Sequence, residues 1–181
     1  MSIEFKAWPK IARGKGQHVT ISEKLDGTNA CVIIIDGELT GVQSRKRLLT
    51  LDNDNYGFCK WAYENKEKLE ELGDGYHYGE WYGEGIQKNH HKKDGKYFAL
   101  FNTFRWTETP LPIELNLEIV PILYVGPVDD INIENAMLSL ELQAKELDYT
   151  PEGVVAYYHN TKTYEKYTFK SPNGKWVKGR N

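Results

Sequence analysis

Glu23-Lys24-Leu25-Asp26-Gly27-Thr28-Asn29 is the stretch around which the rest of the 181-residue chain is organised. It follows an alternating run in which Val19 and Ile21 share one face, and this predicts a half-buried strand from His18 to Lys24. Lys24 leaves that strand and meets an Asp-Gly turn at once, so its amine is predicted to project from a strand end. A lysine becomes a nucleophile when desolvation or neighbouring cations weaken its hold on the proton. The plainer alternative is an exposed lysine beside an ordinary turn, and the residues further out decide between them.

Working outward, Ala30 to Ile35, Asp36-Gly37 and Glu38 to Ser44 read as a β-hairpin with a tight turn. Apolar positions from Phe58 to Leu72 recur at helical spacing, with Glu64 and Lys68 as an i,i+4 pair and Gly73 as the stop. Tyr76 to Tyr82 alternates as a strand, placing Tyr78, Glu80 and Tyr82 on one face and Trp81 on the other. Residues 88–96 form a polar, basic loop whose adjacent His90 and His91 read as solvated side chains rather than metal ligands. Tyr97 to Phe104 and Leu117 to Tyr124 are expected as buried strands. Glu134 to Leu147 is expected as an amphipathic helix, followed by strands at Val154 to Tyr158 and Thr163 to Lys170. The pattern is a mixed, largely antiparallel α+β fold, expected as one domain over residues 1–181.

Twelve tyrosines and five tryptophans argue against a disordered chain. The longest apolar run, Ala30 to Ile35, is far below membrane-spanning length. Cys31 and Cys59 are too few for a disulfide framework or a zinc cluster, and a reducing, cytoplasmic setting is expected. Net charge is −3 but unevenly spread. Residues 108–152 hold ten acids and one lysine, whereas residues 161–181 hold six bases and one acid. Tyr164, Tyr167, Phe169 and Trp176 interleave those bases, a mixture suited to phosphate and base contacts as well as to a plain solvated tail. No Gly-x-x-x-x-Gly-Lys-Ser/Thr segment occurs, so a phosphate-binding P-loop is excluded.

Four further segments share the polarity of the opening stretch. They are Gln43-Ser44-Arg45-Lys46-Arg47, Gly79-Glu80, Glu152-Gly153-Val154-Val155 and Tyr167-Thr168-Phe169-Lys170. In that order, the set resembles the covalent nucleotidyltransferases, the polynucleotide ligases and messenger-RNA capping enzymes. Lys24-Leu25-Asp26-Gly27 is similar to their nucleophile motif, Tyr78-Gly79-Glu80 to the third motif and Glu152-Gly153-Val154-Val155 to the fourth. Phe98-Ala99-Leu100-Phe101-Asn102 resembles the segment whose phenylalanine stacks on the purine, with Asn102 in place of the usual aspartate. Asn29 and Ser44-Arg45 draw the resemblance toward the bacteriophage-type RNA ligases. The fold implied is a nucleotidyltransferase, ATP-grasp-like ligase core.

That resemblance implies an ATP-dependent RNA ligase acting in three steps. Lys24 attacks the α-phosphate of ATP to give a lysyl-adenylate and pyrophosphate. The adenylyl group passes to a 5′-phosphate of RNA, and a 3′-hydroxyl then attacks and releases AMP. Lys170 joins Lys24 as a catalytic residue. Glu23, Leu25, Asn29, Arg45, Lys46, Glu80, Phe101 and Lys170 are the implied nucleotide-binding residues, and Glu152 holds Mg²⁺ or Mn²⁺. The setting is cytoplasmic, that of a host if the chain is phage-encoded. Two departures stand out. The fifth motif is normally Lys-x-Lys, and aligning Lys170 with its second lysine leaves Thr168 in the place of the first. Lys166 is on the same strand face but about 13 Å from Lys170, against about 6.6 Å for a Lys-x-Lys pair. No OB-fold or other C-terminal domain is expected after Lys170. A DNA ligase, a GTP-using capping enzyme and a nucleic-acid-binding module that has lost sealing activity remain the alternatives.

Overall fold

A computed structural model describes residues 18–106, 111, 113–169 and 177–178. Ten strands among them form two five-stranded sheets. His18–Glu23 (β1), Ile122–Pro127 (β7), Gly153–Tyr158 (β8), Thr163–Thr168 (β9) and Val177–Lys178 (β10) form the first, in the order β10-β9-β8-β1-β7. Thr28–Ile35 (β2), Glu38–Ser44 (β3), Gly75–Gly83 (β4), Lys96–Leu100 (β5) and Leu117–Ile119 (β6) form the second, in the order β3-β2-β4-β5-β6. Every pairing is antiparallel except β5 with β6. The expected mixed, largely antiparallel α+β architecture is thus the observed one.

Alternation dictates which face of each sheet is covered. In β2, Ala30, Val32 and Ile34 point into a core shared with Phe58, Ala62, Leu69, Trp81 and Phe98. The Phe58 ring lies 5.3 Å from Trp81 and 4.9 Å from Phe98. Each such fully buried side chain contributes about 1.5–3 kcal/mol. In the first sheet Val19, Ile21, Val154 and Ala156 pack on Ile133, Ala136, Met137 and Leu140 of the helix Asp130–Glu146. The remaining faces carry the polar residues of interest.

The β2–β3 hairpin turns as expected, with Asp36 (φ 54°) and Gly37 (φ 78°) both left-handed, the signature of a type I′ turn. Several boundaries differ from the sequence reading. The helix expected from Phe58 to Leu72 is two, Phe58–Glu64 (α1) and Lys66–Glu70 (α2), broken at Asn65. Asn65 leaves the helical region (φ −115°, ψ 23°), and its amide donates to the Trp61 carbonyl at 2.7 Å. The break redirects the charges: Lys60 meets Glu64 and Lys66 meets Glu70, while Lys68 turns to Glu71 and Glu114. The strand expected from Tyr97 to Phe104 ends at Leu100 and gives way to the short helix Thr103–Trp106 (α3). The span from Leu117 to Tyr124 is two strands in different sheets, interrupted at Val120 and Pro121. The long helix (α4) starts at Asp130, capped by Asp129 accepting from the Ile131 N–H at 3.1 Å. Leu147, expected in its apolar stripe, is exposed. No helix among the described residues is long and apolar enough to cross a membrane.

The chain passes from the first sheet to the second between Glu23 and Thr28, and returns between Ile119 and Ile122. The two crossings touch: the Glu23 N–H donates to the Pro121 carbonyl at 2.8 Å. Lys24 therefore lies on the seam between the sheets.

Candidate active site

The nucleophile stretch is held by its backbone. After β1, the Lys24 N–H donates to the Gly153 carbonyl at 2.8 Å, continuing the β1–β8 ladder by one bond. Leu25 is buried with Tyr82, Ala99 and Val120, so its side chain is core and only its backbone is available to a ligand. Gly27 packs against β4 so closely that an added Cβ would stand 2.4 Å from the Trp81 carbonyl and 3.0 Å from Glu80 Cγ. Any side chain there displaces the strand that carries Glu80.

Lys24 Nζ donates to Glu152 Oε2 at 2.6 Å, the two side chains being 24% and 15% exposed. Glu152 stands just before β8, and Gly153 makes its placement possible. Gly153 has φ 146°, and a Cβ there would lie 1.9 Å from the Tyr167 carbonyl. Opposite, Asn29 pairs in register with Glu80, and its amide donates to Glu80 Oε2 at 3.1 Å. Burial pushes the Glu80 carboxyl up to about 7; Lys24 and the Gly27 N–H pull it down, and Glu152 and Asp26 raise it further. One ammonium and three carboxylates thus meet where the sheets join.

The other expected residues fall on neighbouring elements. Phe101 sits at the end of β5, its N–H donating to the Tyr78 carbonyl at 2.9 Å, with its ring 41% exposed. Asn102 accepts from the Arg105 N–H at 3.3 Å at the start of α3. An aspartate in this place could accept the same bond. Arg45 and Lys46 are exposed just past Ser44, which pairs with Ala30, next to Asn29. Thr168 pairs with Gly153 and Lys166 with Val155, so β9 runs toward the Lys24–Glu152 pair. Lys170 lies outside the described residues.

Glu23 differs from its expected setting. Its carboxylate is 4% exposed and is turned to His91, whose Nε2 is 3.1 Å from Oε1. The Tyr149 phenol is held protonated mainly by burial and further by the charge of the nearby Glu23 carboxylate. His90 Nε2 stands 3.3 Å from Asp26 Oδ2. The two histidines are therefore not solvated loop residues; the β4–β5 connection folds back onto the nucleophile stretch. Periodicity carries no trace of this. The one available signal was a 12-residue connection between paired strands, long for a hairpin.

Oxygen donors of the kind Mg²⁺ or Mn²⁺ prefers are present in Glu152 and its neighbours. Among the described residues no group of three or more His, Cys, Asp or Glu side chains forms a closed metal cage.

The family model described as RNA ligase matches residues 17–177. Among solved structures, a Naegleria gruberi RNA ligase variant with AMP and Mn is 25% identical, with a TM-score of 0.57, over 84% of this chain and 50% of that one. Another variant of that ligase, with ATP and Mn, is 26% identical with a TM-score of 0.60 over the same shares. The chain thus spans about half the length of the solved ligase it matches. Comparison with curated protein sequences gives no match.

Proposed function

The chain belongs to the RNA ligase family, and from that premise we propose that it is an ATP-dependent RNA ligase of the bacteriophage type, working through a lysyl-adenylate on Lys24. The observation that carries the proposal is the meeting of Lys24, Glu152, Glu80 and Asn29 at the seam between the sheets. A phosphoryl-transfer site needs mainly positioning and charge neutralisation; these four residues serve the first, and the second falls to Arg45, Lys46, Lys170 and a cation at Glu152.

Lys24 Nζ attacks the α-phosphorus; the N–P bond forms as the bond to the pyrophosphate oxygen breaks. The attacking nitrogen needs its lone pair, so its contact with Glu152 is either released or used to take up the proton. A divalent cation bound at Glu152 would neutralise phosphate charge and draw the carboxylate away from the amine. Glu80, anchored by Asn29, accepts from the ribose hydroxyls. Phe101 offers a half-open ring to the adenine, and Arg45, Lys46 and Lys170 neutralise phosphates. Leu25 and Glu23 contribute backbone to the pocket, because both side chains are buried. The adenylyl group then moves to an RNA 5′-phosphate, and a 3′-hydroxyl displaces AMP. The setting is cytoplasmic, and residues 1–181 act as one nucleotidyltransferase unit.

The test is label transfer. With α-labelled ATP and Mg²⁺, the wild type retains label on a denaturing gel and Lys24→Ala does not. Label from GTP alone would replace the ligase with a capping-type enzyme. Absence of label from either nucleotide would leave a nucleic-acid-binding module. RNA against DNA ends, each carrying a 5′-phosphate and a 3′-hydroxyl, then decides the substrate.

A further inference from the structure

A buried carboxylate beside a nucleophile calls for an explanation when one of its oxygens has no hydrogen bond. Glu23 Oε1 is fully buried, and no hydrogen bond reaches it. His91 Nε2 lies 3.1 Å away, within ion-pair range. The His91 ring is itself fixed, stacked on Tyr149 at 4.4 Å and edge-on to Tyr82 at 5.7 Å. Its neighbour Lys92 reaches Asp148 Oδ2 at 2.6 Å, and Lys93 lies 4.2 Å above the Tyr97 ring. The β4–β5 connection is thus tied to both sheets. Its two histidines face the acids immediately before and two places after Lys24, Glu23 and Asp26.

We infer that His90 and His91 are positioning residues for Lys24, bracketing it through Asp26 and Glu23 so that the chain crossing between the sheets is held in one conformation. The inference rests on the ligase reading for its catalytic consequence, but not for its structural one. Neither histidine touches the Lys24–Glu152 pair in the contacts described, so their action runs through the backbone of residues 23–27. That backbone is anchored by the Lys24 bond to Gly153 and the Glu23 bond to Pro121. A buried contact to the Glu23 carboxylate adds a fixed point on the far side of the strand from Lys24.

The experiment compares His91→Ala with His91→Gln, whose amide can place a polar nitrogen near the position of Nε2 and so keep the contact with Glu23. Two readouts are taken: hydrogen exchange of residues 22–28 and the rate of Lys24 adenylation at saturating ATP. In His91→Ala, exchange in that segment should rise about tenfold more than in the β2–β3 hairpin. Maximal adenylation should fall about tenfold, while half-saturating ATP stays within twofold. His91→Gln should restore most of both. Equal defects in the two variants, exchange rising uniformly over the chain, or unchanged exchange in His91→Ala would each overturn the inference. If the wild type takes no label from ATP, the ligase reading falls and the exchange comparison still decides the bracket.

Discussion

Replacing Glu80 by glutamine separates what this carboxylate does for folding from what it does for a ligand. In the folded protein its carboxyl is pushed from 4.5 up to about 7, chiefly because burial penalises the charged form. The folded state therefore binds the proton more tightly than the unfolded chain. Below about pH 4.5 both states are protonated and no penalty exists. Between pH 4.5 and 7 the unfolded chain releases its proton first, so stability is lost as pH rises, and above 7 the loss is complete. At 1.36 kcal/mol per pH unit the full loss is about 3 kcal/mol. Glu80→Gln keeps an acceptor for Asn29 and cannot ionise, so it should match the wild type near pH 4.5 and exceed it by about 2–3 kcal/mol at pH 8. Urea denaturation without nucleotide at pH 4.5, 6 and 8 measures the difference. The same variant should lose most nucleotide labelling despite its added stability, since a carboxylate accepts hydroxyl hydrogen bonds more strongly than an amide does. A stability difference between variant and wild type that does not change with pH would refute the reasoning.

Gly153→Ala forces a Cβ to within 1.9 Å of the Tyr167 carbonyl at φ 146°, and should destabilise by at least about 3 kcal/mol in urea titrations. Phe101→Ala, at a ring 41% exposed, should leave stability within about 0.5 kcal/mol and raise half-saturating ATP about tenfold, the worth of one base stack. Cys31 and Cys59 are buried, with the Cys31 thiol pushed up to about 12. Iodoacetamide at pH 8 should therefore label neither before unfolding and both after it. Lys170→Ala should depress self-adenylation at least tenfold, there being no lysine at position 168 to share the phosphate.

The site was legible where chemistry needs a particular residue at a particular place along the chain. Lys24, Glu80 and Glu152 each sit beside a glycine or a turn, and Gly27, Gly79 and Gly153 all lie where neighbouring backbones approach too closely for a Cβ. The hairpin at Asp36-Gly37 was legible because only a few residues accept two successive left-handed conformations. The break at Asn65 was missed although it is local: its amide closes back on the Trp61 carbonyl four residues earlier, the competition with helix that asparagine is prone to. What else escaped reading is tertiary. Leu117 to Tyr124 has one apolar pattern but two strand partners, and only assembly of the sheets reveals the corner at Pro121. His90 and His91 look like solvated polar residues because their partners lie more than 55 residues away, at Tyr149, or before the loop's own strand, at Glu23 and Asp26. Burial of Glu23 likewise follows from that folded-back loop.

The seam between the sheets has a consequence for chain length. Two chain crossings, at residues 24–27 and 120–121, lie side by side and are joined by the Glu23–Pro121 bond. Lys24 is bonded through its backbone to Gly153 of the first sheet, while Gly27 packs on Trp81 of the second. A residue inserted or removed between them could not be absorbed within one sheet alone: it would offset Lys24 from Glu80, so the spacing of that short crossing is fixed by two ladders at once.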